Sequence, residues 1–200
     1  GLALLVAIAL GALGVIGLGQ TQDSLRTVYL DRVLPVKDLA TINELMLDNR
    51  TMMLSTMNEA EIVSSPGMQV TRKMDKDTAA KVAEGIGKNV GIMAELWKGY
   101  MATYLTPEEK ILAAKFAQSQ EQLVTQVFQP LQKALLANDF VETEKLADKL
   151  NDFYAEADTD IEKLKGLQFD VAKDEFEAGQ KRFETTRFTT FALLGGSIAI

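Results

Sequence analysis

The stretch from Leu25 to Ile62 constrains the fold most, because apolar residues recur at helical spacing along its length. Its main stripe consists of Val28, Leu39, Ile42, Met46, Met53, Met57 and Ala60. Steps of three and four residues predict an amphipathic helix and argue against a strand. A neighbouring stripe of the same helix carries Asn43, Leu47, Arg50, Leu54 and Met57. A helix with two apolar faces indicates a bundle that also associates with a second copy of itself.

Turn residues separate this helix from a second one. The segment Ser64–Gly67 reads Ser-Ser-Pro-Gly, which is a turn signal. Helical spacing then resumes from about Val70 to Tyr104. Four glycines lie within this second helix, and three of them are close together, at Gly85, Gly87 and Gly91. Their spacing fits no nucleotide-binding fingerprint and no strand precedes them, so we expect them to allow close helix packing.

Capping residues mark the start of two further helices. Thr106 is suited to an N-cap and Pro107 to the first helical position, so a third helix is predicted to run from there to about residue 137. Asp139 caps a fourth helix that runs to about residue 187. No strand pattern is present. The sequence therefore predicts an all-α fold, an antiparallel up-down-up-down four-helix bundle.

Two prolines lie inside predicted helices, Pro35 in the first and Pro130 in the third. A proline removes one backbone hydrogen bond, so we expect each helix to bend near its proline. The periodicity continues beyond both residues, and neither is interpreted as a domain boundary. The predicted core positions of the later helices include Met101, Ile111, Phe116, Phe176 and Phe183.

Both ends of the sequence are apolar and unlike its middle. Residues 1–18 contain no charge, and residues 188–200 are relieved only by two threonines and one serine. We interpret these runs as truncated transmembrane helices, so that the sequence begins inside one span and stops inside another. The polar region at 19–187 is then the ligand-binding domain between two flanking helices. The alternative for the first run is a secretory signal peptide.

Composition excludes several classes of function. The net charge is −7 and no basic cluster is present, so a nucleic-acid partner is not expected. The chain has no cysteine and no histidine, which excludes Cys or His nucleophiles, His general bases, thiolate zinc sites and His-ligated haem. No carboxylate pair lies in an apolar setting. We therefore expect no catalytic residues, no metal and no cofactor, and we predict that the chain is not an enzyme.

Three segments carry a resemblance to a known family. They are TVYLDRVLPVKDLATINELMLDNR at 27–50, QPLQKALLANDF at 129–140 and LKGLQFDVAKDEFEAGQKRF at 164–183. In order and spacing they resemble the four-helix-bundle sensor domains of bacterial methyl-accepting chemotaxis receptors. The resemblance covers the chain from the first apolar run to the second.

The resemblance implies a periplasmic sensor domain anchored in the bacterial inner membrane. It also implies a homodimer whose small ligand binds where the first helices of two subunits meet. A cytoplasmic region outside this sequence would control a kinase through an adaptor. In the aspartate and serine branch of the family, three arginines of the first helix bind ligand carboxylates. Here Arg50 occupies a comparable place, but the other two positions hold Ser55 and Glu59.

Arg50 is the centre of the predicted site, because a planar guanidinium donates two parallel hydrogen bonds to a carboxylate. Methionines around it tolerate a bulky apolar body, so an organic or aromatic acid is the predicted ligand. Counting from the bundle's distal turns places residues of the other helices near the same level. The candidate ligand-binding residues are Arg50, Asn43, Asn49, Met46, Met53, Lys81, Thr125 and Tyr154.

Alternative functions stay open at this point. The chain is either a ligand-gated sensor that signals through its fourth helix into the membrane, or a structural or protein-docking bundle with no small ligand. A variant of the sensor is the same domain on a histidine kinase or a cyclic-dinucleotide enzyme.

Overall fold

The structure, a computed structural model, describes residues 2–64 and 71–198. Its six helices are α1 (Leu2–Val28), α2 (Leu34–Asn58), α3 (Lys76–Met101), α4 (Pro107–Leu123), α5 (Gln129–Leu136) and α6 (Phe140–Ile198). A π-helical turn, Tyr29–Val33, joins α1 to α2, and a second, Val124–Phe128, joins α4 to α5. The first and third predicted helices therefore each contain two α segments. The prediction of an all-α four-helix bundle is confirmed.

The chain forms two compact units. The bundle unit is Lys37–Leu167. The two-helix unit combines Gly1–Val36 with Gln168–Ile200. Within the described ranges, no helix is both long enough and apolar enough to cross a membrane. The predicted membrane segments, at 1–18 and 188–200, include residues outside the described ranges and stay predictions.

The core of the bundle unit follows the predicted helical stripes. Leu39 and Ile42 of α2, Ile86 of α3 and Phe116 of α4 have no exposed surface. Phe116 packs edge-on against the Trp97 ring, with ring centroids 5.0 Å apart and planes at 69°. The same periodicity that predicted these helices therefore also predicted most of the side chains that hold them together.

Four predicted core positions are wrong. Ile111 is 62% exposed, because five residues at 100° each place it about 140° around α4 from Phe116. Met101 is exposed at the last position of α3, where Tyr100 takes the core position instead. Phe176 and Phe183 lie in the two-helix unit and are more than half exposed, since that unit has too few helices to cover them.

A short hairpin replaces the expected direct turn between the first two helices. Strand β1 (Glu61–Val63) pairs antiparallel with β2 (Thr71–Lys73). All six residues are exposed, so no apolar alternation revealed these strands in the sequence. Arg72 anchors the hairpin by donating to the Met57 carbonyl at 3.0 Å and by lying 4.9 Å above the Phe140 ring. The expectation that no strand would be present is therefore wrong.

The hairpin also moves the start of the second helix. Asp75 is the N-cap of α3, and its carboxylate accepts from the Thr78 amide at 2.8 Å. The helix therefore begins at Lys76 and not near Val70. Val70 itself and residues 65–67 of the predicted turn lie outside the described ranges. The two further predicted helix starts are confirmed, with a full capping box at Thr106 and a bond from the Glu142 amide to the Asp139 carboxylate at 3.0 Å.

Both helix prolines have a π turn immediately upstream. Each five-residue π turn ends two residues before its proline, at Pro35 and at Pro130. The Leu34 amide donates to the Tyr29 carbonyl, five residues back, as the Gln129 amide does to Val124. A proline cannot donate to the carbonyl four residues before it, so the local ladder reorganises. A π turn therefore lies where each bend was predicted, and the bends themselves stay predictions.

Arg32 satisfies the carbonyl that Pro35 leaves without its helical donor. Its guanidinium donates to the Asp31 carbonyl at 3.2 Å, four residues before the proline. It also binds Glu175 of α6 at 3.0 Å and Gln168 at 3.4 Å. Arg32 is 1% exposed, so its contacts with Gln168 and Glu175 form a buried polar cluster in the two-helix unit. We call this cluster of Arg32, Gln168 and Glu175 the clasp.

Two of the three neighbouring glycines of α3, Gly85 and Gly87, allow the predicted close packing. A Cβ on Gly85 would lie 3.3 Å from the Met52 sulfur, and a Cβ on Gly87 would lie 2.3 Å from Nε2 of Gln132. The Gln132 amide uses this space to donate to the Ala83 carbonyl at 2.8 Å. Gly91 faces open space, so packing does not explain that position.

Candidate functional site

Arg50 lies half-buried on α2 and faces α6. Its Nη2 donates to Oδ1 of Asn151 at 3.2 Å, and its guanidinium carbon lies 5.3 Å from the centre of the Tyr154 ring. Its Nε is buried without a hydrogen-bond partner. Across the described ranges no carboxylate forms an ion pair with it. The cation is therefore held in place by an amide and an aromatic face, and its charge is not neutralised.

Tyr154 connects this cation to an acidic stretch of α6. Burial raises the pKa of the Tyr154 phenol above 10.0, and the negative charge of Asp158 and a hydrogen bond to it raise it further. The positive charge of Arg50 acts in the opposite direction. Because the pKa is raised in the folded state, the neutral phenol stabilises the fold. This contribution is fully present below pH 10 and is lost as the pH rises through the folded-state pKa of Tyr154.

Asn43 continues the same surface one heptad before Arg50. Its Nδ2 donates to Glu162 at 2.9 Å, and Glu162 also accepts from Lys165 at 2.7 Å. The Oδ1 of Asn43 is buried without a partner. We call the surface formed by Asn43, Arg50, Asn151, Tyr154, Asp158 and Glu162 the polar seam.

Asn49 turns away from the seam, toward α3. It is fully buried, and its Oδ1 accepts from Asn89 at 2.8 Å. Asn89 also donates to the carboxylate of Asp48 at 3.0 Å. The sequence interpretation missed Asn89, although an asparagine between Ile86 and Met93 on an apolar stripe was the available signal. This buried amide pair fixes how α2 and α3 pack, because only one register joins the two side chains.

Met46 and Met53 lie in the core of the bundle unit with no exposed surface. A side chain in this state cannot contact a ligand at the surface unless the helices separate. We therefore assign both methionines to packing and leave them out of the proposed site.

The family comparison agrees with this architecture. The family model of the Tar ligand-binding domain homologue matches residues 1–172. The chain belongs to this family. Tar-type domains are the non-catalytic periplasmic sensor domains of chemotaxis receptors, so the chain is a sensor and not an enzyme. The comparisons with curated proteins and with solved structures give no match.

Two predicted site residues of this Tar-type domain are not brought to Arg50. Lys81 is exposed, and it precedes Gly85 by four residues, or about 6 Å along α3. Gly85 is level with Met52, so Lys81 lies further toward the hairpin than Arg50 does. The predicted level assumed a direct turn, and the hairpin shifts the count. Thr125 is exposed in the second π turn, and its hydroxyl donates to the Glu121 carbonyl at 2.7 Å.

The contacts of Tyr154 predict how its pKa responds to substitution. Asp158→Asn should lower the pKa, because a neutral amide no longer opposes the phenolate. Arg50→Ala should raise it, because the stabilising positive charge is lost. Titration of selectively ¹³C-labelled tyrosine by NMR measures both shifts. Asp160→Asn is the control, since Asp160 pairs with Lys163 at 3.9 Å and should leave the Tyr154 pKa unchanged. Equal shifts in all three variants would contradict the seam geometry.

Proposed function

We propose that this Tar-type domain detects a small organic acid and that Arg50 binds its carboxylate. The observation that carries the proposal is that Arg50 is half-buried and forms no ion pair with any carboxylate of the described residues, although the chain has a net charge of −7. An arginine in an acidic protein normally finds a carboxylate partner on the surface. Here Asn151 and Tyr154 hold the side chain without satisfying its charge, so a carboxylate supplied by a ligand completes the site.

The surroundings of Arg50 favour an acid with an apolar body. Tyr154 presents an aromatic face beside the guanidinium, and Leu47, one turn before Arg50 on the same stripe, is 46% exposed. A flat apolar ligand bound through its carboxylate covers both side chains. An aromatic or branched monoacid therefore gains more from this site than a short polar acid does.

We further propose that the site is completed in a homodimer and that α6 carries the signal toward the inner membrane. Leu47 with the half-buried Leu54 and Met57 forms an apolar stripe that a second α2 would cover. α6 is a single helix of 59 residues, which suits transmission of a small displacement. The receiving partners would be the kinase and adaptor of a chemotaxis pathway.

Calorimetry on the 200-residue chain with a panel of carboxylic acids, including benzoate and phenylacetate, tests the proposal. Arg50→Ala should weaken any acid that binds by about 1.5–3 kcal/mol, the scale of a hydrogen bond to a charged group. Arg50→Lys should recover little of this, because a point charge cannot supply the planar fork. The circular dichroism of both variants should match that of the wild type.

Two results would contradict the proposal. One is that no acid of the panel binds the wild-type chain. The other is that an acid binds Arg50→Ala as tightly as the wild type, which would place the carboxylate elsewhere. Arg72→Ala is the matched control, because Arg72 also lies over an aromatic ring but at the hairpin.

A further inference from the structure

We propose that the polar seam makes the sensor selective for acids with a single carboxylate, and that Asp158 is the residue that rejects a second one. This inference rests on the proposed function and specifies the class of ligand. The inference follows from the charges near Arg50 and from the residues that lie in each direction from Arg50 along the polar seam.

The charges of the seam are predominantly negative. Asp158 lies next to Tyr154, and Glu162 lies one turn further along α6. The only cation that contacts these acids among the described residues, Lys165, is bound to Glu162 at 2.7 Å. On α2, Asp48 is exposed and accepts from Asn89 of α3 at 3.0 Å. Arg50 therefore offers one positive charge to a ligand, and among the contacts of the described residues no second cation joins it in the seam.

The spacing along α6 places these acids where a second carboxylate would lie. Asn151, Tyr154, Asp158 and Glu162 follow one another at steps of three and four residues, so they share one face of the helix. Asp158 is about 6 Å beyond Tyr154 along the axis. A para-substituted aromatic diacid held by Arg50 over the Tyr154 ring reaches this distance. Its far carboxylate would then meet Asp158 and, behind it, Glu162.

The opposite direction along the seam gives a second carboxylate no better place. Beyond Arg50 on α2 the same stripe continues with Leu54 and Met57, which offer no hydrogen-bond donor. A carboxylate placed there loses its hydration without compensation. One direction therefore repels the second charge and the other desolvates it, while a monoacid avoids both costs.

Matched pairs of monoacids and diacids test this selectivity. The probes are benzoate with terephthalate, and phenylacetate with 1,4-phenylenediacetate, measured by calorimetry on the 200-residue chain. We expect each monoacid to bind at least about tenfold more tightly than its diacid. Asp158→Asn should narrow this ratio severalfold, because removing this negative charge improves the binding of the diacid more than that of the monoacid. Asp160→Asn is the control and should leave the ratio unchanged, because Asp160 pairs with Lys163.

The outcomes separate this inference from the proposed function. If no acid binds, the proposed function fails and the selectivity with it. If acids bind through Arg50 but diacids bind as tightly as monoacids, the selectivity alone is refuted. If monoacids are preferred and Asp158→Asn leaves the ratio unchanged in a folded chain, Asp158 is not the residue that rejects the diacid. A narrowed ratio in Asp158→Asn, with the control unchanged, supports the inference.

Discussion

Phe116→Ala should lower the free energy of unfolding of the bundle unit by about 3–5 kcal/mol. The ring is fully buried and packs edge-on against Trp97, which in turn stacks on Tyr100 with centroids 5.1 Å apart. Truncation leaves a cavity and removes the aromatic contact together. Urea unfolding followed by tryptophan fluorescence measures the loss directly, because Trp97 is the single tryptophan of the chain.

The control for this substitution lies on the same helix. Ile111→Ala removes a side chain that is 62% exposed, so it should change the free energy of unfolding by less than about 0.5 kcal/mol. A loss of several kcal/mol in Ile111→Ala would mean that another surface covers this face of α4. A negligible loss in Phe116→Ala would contradict the described core.

Glu175→Leu should destabilise the two-helix unit more than Arg32→Met does, by about 3 kcal/mol or more against about 1–2 kcal/mol. Both variants break the 3.0 Å ion pair, but they leave different charges behind. Without Glu175, the cation of Arg32 stays buried with a side chain that is 2% exposed. Without Arg32, the carboxylate of Glu175 is 31% exposed, and water solvates part of its charge.

Hydrogen exchange at the amides of 29–33 and 168–175 reports the local stability of this clasp. Glu177→Ala is the control, since Glu177 is exposed and lies 4.0 Å from an exposed Lys173. That substitution should leave the protection factors almost unchanged. Equal losses in Glu175→Leu and Arg32→Met would show that desolvation of the arginine does not dominate.

The sequence predicted the helices better than the connections between them. Residues such as Leu39, Ile42 and Phe116 repeat at intervals that only a helix places on one face, and helical burial follows directly. The strands Glu61–Val63 and Thr71–Lys73 were not predicted, because each is three residues long and wholly exposed. Exposed strands need no alternation of apolar and polar residues, so the sequence carried no strand signal. The π turns escaped because a proline predicts a disturbed helix but not the form that it takes.

The arrangement of side chains around Arg50 could be predicted from the sequence only in part, and the connections between helices are again the reason. Arg50 and Tyr154 could be paired because both were counted from the bundle's distal turns. The predicted level of Lys81 was wrong, because its depth along the bundle was counted across the unpredicted hairpin. Asp158 is one of many acidic residues on α6, and only the three-dimensional contact with Tyr154 distinguishes it from its neighbours.

The two π turns have a consequence for hybrid receptors. The hydrogen bond of a π turn joins residues five apart, and that of an α-helix joins residues four apart. The direction in which side chains point, counted at 100° per residue, is therefore offset by about one residue across each π turn. A fusion that joins a foreign membrane helix upstream of Tyr29 leaves the phase of α2 intact. A fusion within 29–33 that drops one residue would restore a regular helix and turn Arg32 about 100° away from Glu175. Splice points in this sensor are therefore safest outside both π turns.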